Sequence, residues 1–203
     1  MIRTMWGALL LSALLSLTMT AAADRVIVIM RHAEKPALGL GQLDCQGLNR
    51  SLALVPVLWS RYGAPQAIYA PNPAIGKRDH GHVYAYIRPL ATVEPLAIAA
   101  GLPVHIDAGM TQIEPLADRL LAAPAAVQVL AWEHHWGEAL ARLLLVRLGA
   151  DPQQVPVWQD QDYDSLYVLR IGPGHHVVFS HEQEGLQDLP TTCPGLTAQA
   201  AVH

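Results

Sequence analysis

The residues with most chemical potential stand where an apolar run breaks off. VIVIM at 26–30 leads straight into Arg31-His32, then Ala33, Glu34, Lys35 and Pro36. A buried-looking segment that ends in two groups resisting burial needs partners elsewhere in the chain. Candidates are Arg88, which opens RPLATVEPLA at 88–97, and the Glu133-His134-His135 run that follows VLAW at 129–132. A neutral imidazole is a usable nucleophile near neutral pH. Guanidinium forks match phosphate oxygens two at a time, and their charge disfavours protonation of a nearby histidine. His134 begins a predicted helix, where free backbone N–H groups favour an anion. Two arginines and two histidines facing one point fit a transferring phosphoryl group. They do not fit a zinc cage, because an arginine beside a metal repels it.

Strand and helix signals alternate along the chain and supply the positions. VIVIM has no polar alternation, as expected of a strand covered on both faces. Leu48, Leu52, Val55, Leu58, Trp59 and Tyr62 fall at helical spacing up to Gly63, with Pro56 predicting a kink or a shortened helix. A short strand is expected at 66–70 and a long polar loop at 71–86. Helix follows from Pro89 to Ala100, a strand at 102–106, helix at 113–122, a strand at 127–132 and helix at 135–148. SLYVLRI (165–171) and HHVVFSH (175–181) read as a late strand pair. The pattern predicts an α/β three-layer sandwich around a mostly parallel central sheet. In such sheets ligands bind beyond the carboxyl ends of the strands. That rule gathers Arg31-His32, the 71–88 segment and Glu133-His134-His135.

Composition narrows the function classes. Apolar residues make up 52% and charged residues 15%, neither a disordered nor a nucleic-acid-binding balance. Residues 1–23 have a basic start (Arg3), a short apolar run and Ala21-Ala22-Ala23, which together read as a signal peptide. The remaining 24–203 would be one exported domain, periplasmic or secreted, without a stable membrane span. Loss of Arg3 would leave 12 Lys+Arg against 17 Asp+Glu, so an anionic ligand must be held by a local cluster of cations. Cys45 and Cys193 are either bridged, as an exported chain permits, or two free thiols.

At this point the residues resemble a known family, the histidine phosphatase superfamily with its phosphoglycerate mutase-like fold. RHAEK at 31–35 is similar to its first signature, with Ala33 in a glycine position. RPLATVEPLA at 88–97 and VLAWEHHWG at 129–137 resemble its second and third motifs, and LDCQGLNRSLAL at 43–54 resembles the start of its first helix. The resemblance implies a phosphatase without cofactor or metal. His32 would carry the phosphoryl group, Arg31 and Arg88 would hold its oxygens, and His134 would complete the pocket, with His135 as the one-residue alternative. It also implies a general acid after the helix that follows Arg88. Glu114 is the expected residue, with Asp107, Glu34 and Glu133 as rivals. Lys77-Arg78 and His80-Gly81-His82 either solvate the 71–86 loop or recruit an anionic substrate, with Lys77 then the expected contact. The implied partner is a small phosphorylated substrate. A non-catalytic phosphate-binding module and a phosphomutase are the alternative functions. His175, His176 and His181 read as edge-strand residues rather than metal ligands, and DQDYD at 160–164 as a turn.

Overall fold

The computed structural model describes residues 24–195, so the signal-peptide expectation lies outside the described residues. In chain order the elements are β1 (Arg25–Arg31), α1 (Cys45–Tyr62), β2 (Ala67–Tyr69), β3 (Lys77–Asp79), β4 (His82–Tyr84), α2 (Arg88–Ala100), β5 (Val104–His105), α3 (Ile113–Ala122), β6 (Val127–Trp132), α4 (His134–Arg147), β7 (Ser165–Ile171) and β8 (Val177–Gln183). Six strands form one sheet in the order β5-β2-β6-β1-β7-β8. β5, β2, β6 and β1 run parallel, while β7 pairs antiparallel with both β1 and β8.

Successive residues of β1 serve opposite layers, which is why it carries no polar alternation. Ile27 and Ile29 pack with Leu116, Leu120, Leu140 and Leu144 of α3 and α4. Val28 and Met30 pack with Leu54, Leu58, Val93 and Leu96 of α1 and α2. The fold is the expected three-layer sandwich. Among the described residues, no helix is long and apolar enough to cross a membrane.

Two local expectations change. Pro56 lies inside α1, yet the helix runs unbroken for 18 residues. Pro56 and Leu52 both sit on the exposed side, so the Leu52 carbonyl that loses its donor can turn to water. The 71–86 loop contains a small hairpin, with Lys77 opposite Tyr84 and Asp79 opposite His82. His80 and Gly81 turn it with φ of 45° and 87°, the positive pair that a tight hairpin turn uses. Three-residue strands of mixed polarity leave no periodic trace in a sequence.

Cys45 and Cys193 are joined, which settles the open pairing. The bridge closes a loop of 148 residues in sequence separation, and Asn49 adds bonds to the carbonyls of Pro190 and Thr192 at 2.7 and 2.9 Å. Reduction should therefore lower stability by ~4–5 kcal/mol, the chain-entropy value for so long a loop. Urea unfolding with and without reductant measures it as a fall in the midpoint.

Candidate active site

The parallel register of β1 on β6 ends at Arg31 opposite Trp132, so His32 and Glu133 leave the sheet side by side. The His32 amide continues the ladder with a bond to the Trp132 carbonyl at 2.9 Å. Its ring is buried, at 2% exposure, with Nδ1 2.8 Å from the Ala33 carbonyl. A carbonyl only accepts, so Nδ1 carries the proton and Nε2 keeps its lone pair. Burial lowers the His32 pKa well below its usual 6.5, and the charges of Arg88, Arg31 and Lys77 add to the effect.

Both guanidinium groups are tethered through one nitrogen. Arg31 donates from Nη1 to the carbonyls of Asp160 and Asp162 and stacks on Tyr163, 3.9 Å from the ring centre. Arg88, the first residue of α2, donates from Nη1 to Gly39 O at 3.1 Å and to Asp79 Oδ2 at 2.7 Å. The Nε atom of each is buried and has no protein partner, as is the Tyr86 hydroxyl. Thr92 locks the two motifs together: its hydroxyl accepts from Ala33 N at 2.9 Å and donates to the Arg88 carbonyl at 2.8 Å.

His134 opens α4 and is buried, while His135 is exposed, though both line the cleft. His134 Nε2 lies 2.8 Å from Asp160 Oδ1. Its Nδ1 is 3.1 Å from Glu133 Oε1 but off the line of a good hydrogen bond, so the contact is an ion-pair distance rather than a bond. Glu133 also caps α4 through Trp136 N and faces Lys77 Nζ at 3.6 Å. Burial alone would raise the Glu133 carboxyl; His134 and Lys77 outweigh it and hold it at about 2. Glu133, His134 and His135 set one donor atom each within 4.8 Å of one another, as a metal site requires. Lys77 on Glu133 and Arg31 behind Asp160 place positive charge on both flanks, which favours an anion over a cation.

Arg31, His32, Lys77, Arg88 and His134 thus line one cleft of about 860 Å³. Glu114 does not reach it. It sits in the first turn of α3, two-thirds exposed, and pairs with Arg147 of α4. The expectation fails because Leu116, Ala117 and Leu120 turn the other side of that helix into the core. Asp107 pairs with Arg119 at the surface, also outside the cleft. Of the rivals, Glu34 and Glu133 line the cleft, and Glu34 is taken by a two-pronged bond from Arg50.

Sequence reasoning gave no role to Arg50, Asp79, Tyr86, Asp160 or Tyr163. Arg50 had a signal, its place in the LDCQGLNRSLAL segment. It is 4% exposed and joins Glu34 of the loop after His32 to Glu184 beyond β8. Gly47 in the same segment lets α1 touch that loop: an added Cβ would fall 2.3 Å from the Glu34 carbonyl. Asp79 and Tyr163 are tied to their arginines only through the fold.

No family model matches the chain, and no curated protein does. Solved structures do. The protein assigned as phosphohistidine phosphatase SixA of Nakamurella multipartitia is 17% identical with a TM-score of 0.50, over 77% of this chain and 88% of that one. A structure named mycobacterial hydrolase 2 is 14% identical with a TM-score of 0.51, over 86% and 94%. Phosphoglycerate mutase from Plasmodium falciparum is 14% identical with a TM-score of 0.50, over 80% and 92%. The chain has the phosphoglycerate mutase-like fold of these structures.

Removing Arg50 would leave Glu34, Glu184 and Asp164 facing one another without their cation. Arg50→Ala should cost ~3–5 kcal/mol, the usual loss when one partner of a buried charge network is deleted. Chemical denaturation reads the loss, and Arg50→Lys should recover part of it.

Proposed function

We propose that the chain is an exported, metal-independent histidine phosphatase that hydrolyses a small phosphomonoester through a phosphohistidine on His32. The observation that carries the reading is the His32 ring. Its Nδ1 proton is committed to the Ala33 carbonyl, so the remaining nitrogen is an unprotonated nucleophile, in a cleft that Arg31, Lys77 and Arg88 also line. The fold and the order of the motifs support the same class, and the Cys45–Cys193 bridge accords with an oxidising compartment.

His32 Nε2 attacks phosphorus as the bond to the leaving oxygen breaks. The buried Nε edges of Arg31 and Arg88 take the phosphoryl oxygens, with His134 and Lys77 completing the charge balance. Glu133 is the proton carrier. It is ionised before substrate arrives, so the proton comes with the substrate monoanion. The incoming phosphoryl charge raises the carboxyl's proton affinity, and the proton passes through Glu133 to the leaving oxygen. The same carboxylate then takes a proton from water as that water attacks phosphorus and the P–Nε2 bond breaks, and it passes the proton to the departing phosphate, which leaves His32 neutral and Glu133 ionised as before.

His32→Ala should reduce hydrolysis of p-nitrophenyl phosphate on the order of 10³-fold or more. It should also abolish the alkali-stable, acid-labile phosphoprotein that wild type gives on rapid quenching. Equal rates in the two proteins would end the reading. Phosphate binding without turnover or trapped phosphoprotein would instead favour a non-catalytic binding module.

The pH dependence follows from two groups. His32 is held well below 6.5 and stays neutral in mild acid, so its protonation does not limit the rate there. A phosphomonoester loses its second proton with a pKa of about 6, and with it the proton that Glu133 relays. Hydrolysis of an alkyl phosphate should therefore be fastest in mild acid and fall as pH rises through that value. Glu133→Gln should lower kcat/KM for alkyl phosphates by ~10²-fold or more and for p-nitrophenyl phosphate far less, since kcat/KM reports the first transfer and nitrophenolate leaves without a proton. Measured kcat/KM against pH for both substrates checks this.

A further inference from the structure

Beyond β8 the chain leaves the sheet and returns along α1, fixed at both ends. At one end Glu184 is bonded to Arg50 at 2.5 Å, its carbonyl accepts from Arg61, and Leu186 N donates to Asp164 at 2.8 Å. At the other end Asn49 holds Pro190 and Thr192, and Cys193 is joined to Cys45. Between these anchors, Leu186 and Gln187 line the cleft, as does Gln46, the residue after Cys45. None of these residues is among the groups that hold the phosphoryl oxygens. The bridge thus fixes two parts of one wall: the first turn of α1 and the strap that crosses it.

Resting on the phosphatase reading, we propose that this disulfide-pinned wall is the leaving-group subsite, and that Gln46 and Gln187 select a neutral, hydroxyl-rich leaving group such as a sugar or polyol. A carboxamide both donates and accepts, which suits hydroxyls and carries no charge. Glu34, Asp162 and Asp164 line the cleft as well, against Arg50 and Lys35; Arg50 is spent on Glu34 and Asp164, and Lys35 acts on Asp79, so little positive charge is left to draw a second phosphate or carboxylate. Leu186 is the one aliphatic side chain in the lining, and the ring of Tyr163, which also lines it, is stacked by Arg31.

Binding tests this without turnover. In a His32→Ala background, calorimetry would compare inorganic phosphate, phenyl phosphate and glucose 6-phosphate. The sugar phosphate should bind more tightly than the other two. Gln187→Ala should weaken it roughly three- to tenfold, one hydrogen bond's worth, with phosphate affinity unchanged. Cys193→Ser should weaken it at least as much, and Gln187→Ala keeps the test valid should the cysteine variant fail to fold. An unchanged ratio of sugar phosphate to phosphate affinity in Gln187→Ala, or tighter binding of phenyl phosphate, would overturn the proposal. Neither result touches the phosphohistidine experiment, so failure of this subsite and failure of the phosphatase reading remain distinct.

Discussion

The site depends on keeping one imidazole neutral among fixed cations. The bond from His32 Nδ1 to the Ala33 carbonyl decides which nitrogen has the lone pair, and burial with Arg88, Arg31 and Lys77 keeps that pair unprotonated. Burying cations is costly unless each is given partners. Here the partners are partial. Arg88 has Asp79 and Gly39 O, Arg31 has two carbonyls and a tyrosine face, and Lys77 has Glu133. Each arginine is held well enough to stay in place while its Nε remains unclaimed by protein.

The sheet converts that requirement into geometry. Two parallel strands in register bring the residues after Arg31 and after Trp132 to one level, although about a hundred residues of chain separate them. The helices that start there, α2 at Arg88 and α4 at His134, place each side chain at a helix N-terminus, where free N–H groups add to the positive field. Thr92 then makes the positions of Ala33 and Arg88 interdependent through one hydroxyl. A local cluster suffices because none of these contacts needs a net positive protein.

What could be read from sequence follows from what leaves a local trace. VIVIM and VQVLAW announce doubly covered strands, and the polar residues just past their ends announce a site, because little else explains charge at those positions. The resemblance points to an acid after α2, but Glu114 lies on the exposed side of α3 paired with Arg147, because sequence does not show which side of that helix faces the cleft. Glu133, named among the rivals, is the carboxylate beside His134 in the cleft. Asp79 lies in a hairpin too short to show periodicity, and Tyr163 and Asp160 meet Arg31 across 129 or more residues, where sequence carries no distance. The Cys45–Cys193 pairing was open for the same reason.

The carboxylates in a cleft proposed to take a phosphoryl group look contradictory until their partners are considered. Asp79 engages Arg88, Glu133 engages Lys77, and Glu34 engages Arg50, which itself faces two further acids. Such buried pairs contribute little net stability compared with apolar packing, but deleting one partner is expensive. Their effect is therefore geometric: they fix where positive charge points and temper its total. Under the proposed reaction, a cleft with untempered cations would bind phosphate tightly and release it slowly. Arg88 and Lys77 each keep one carboxylate and Arg31 none, so the cleft retains a positive field on the side of His32, while Arg50 is fully engaged by acids.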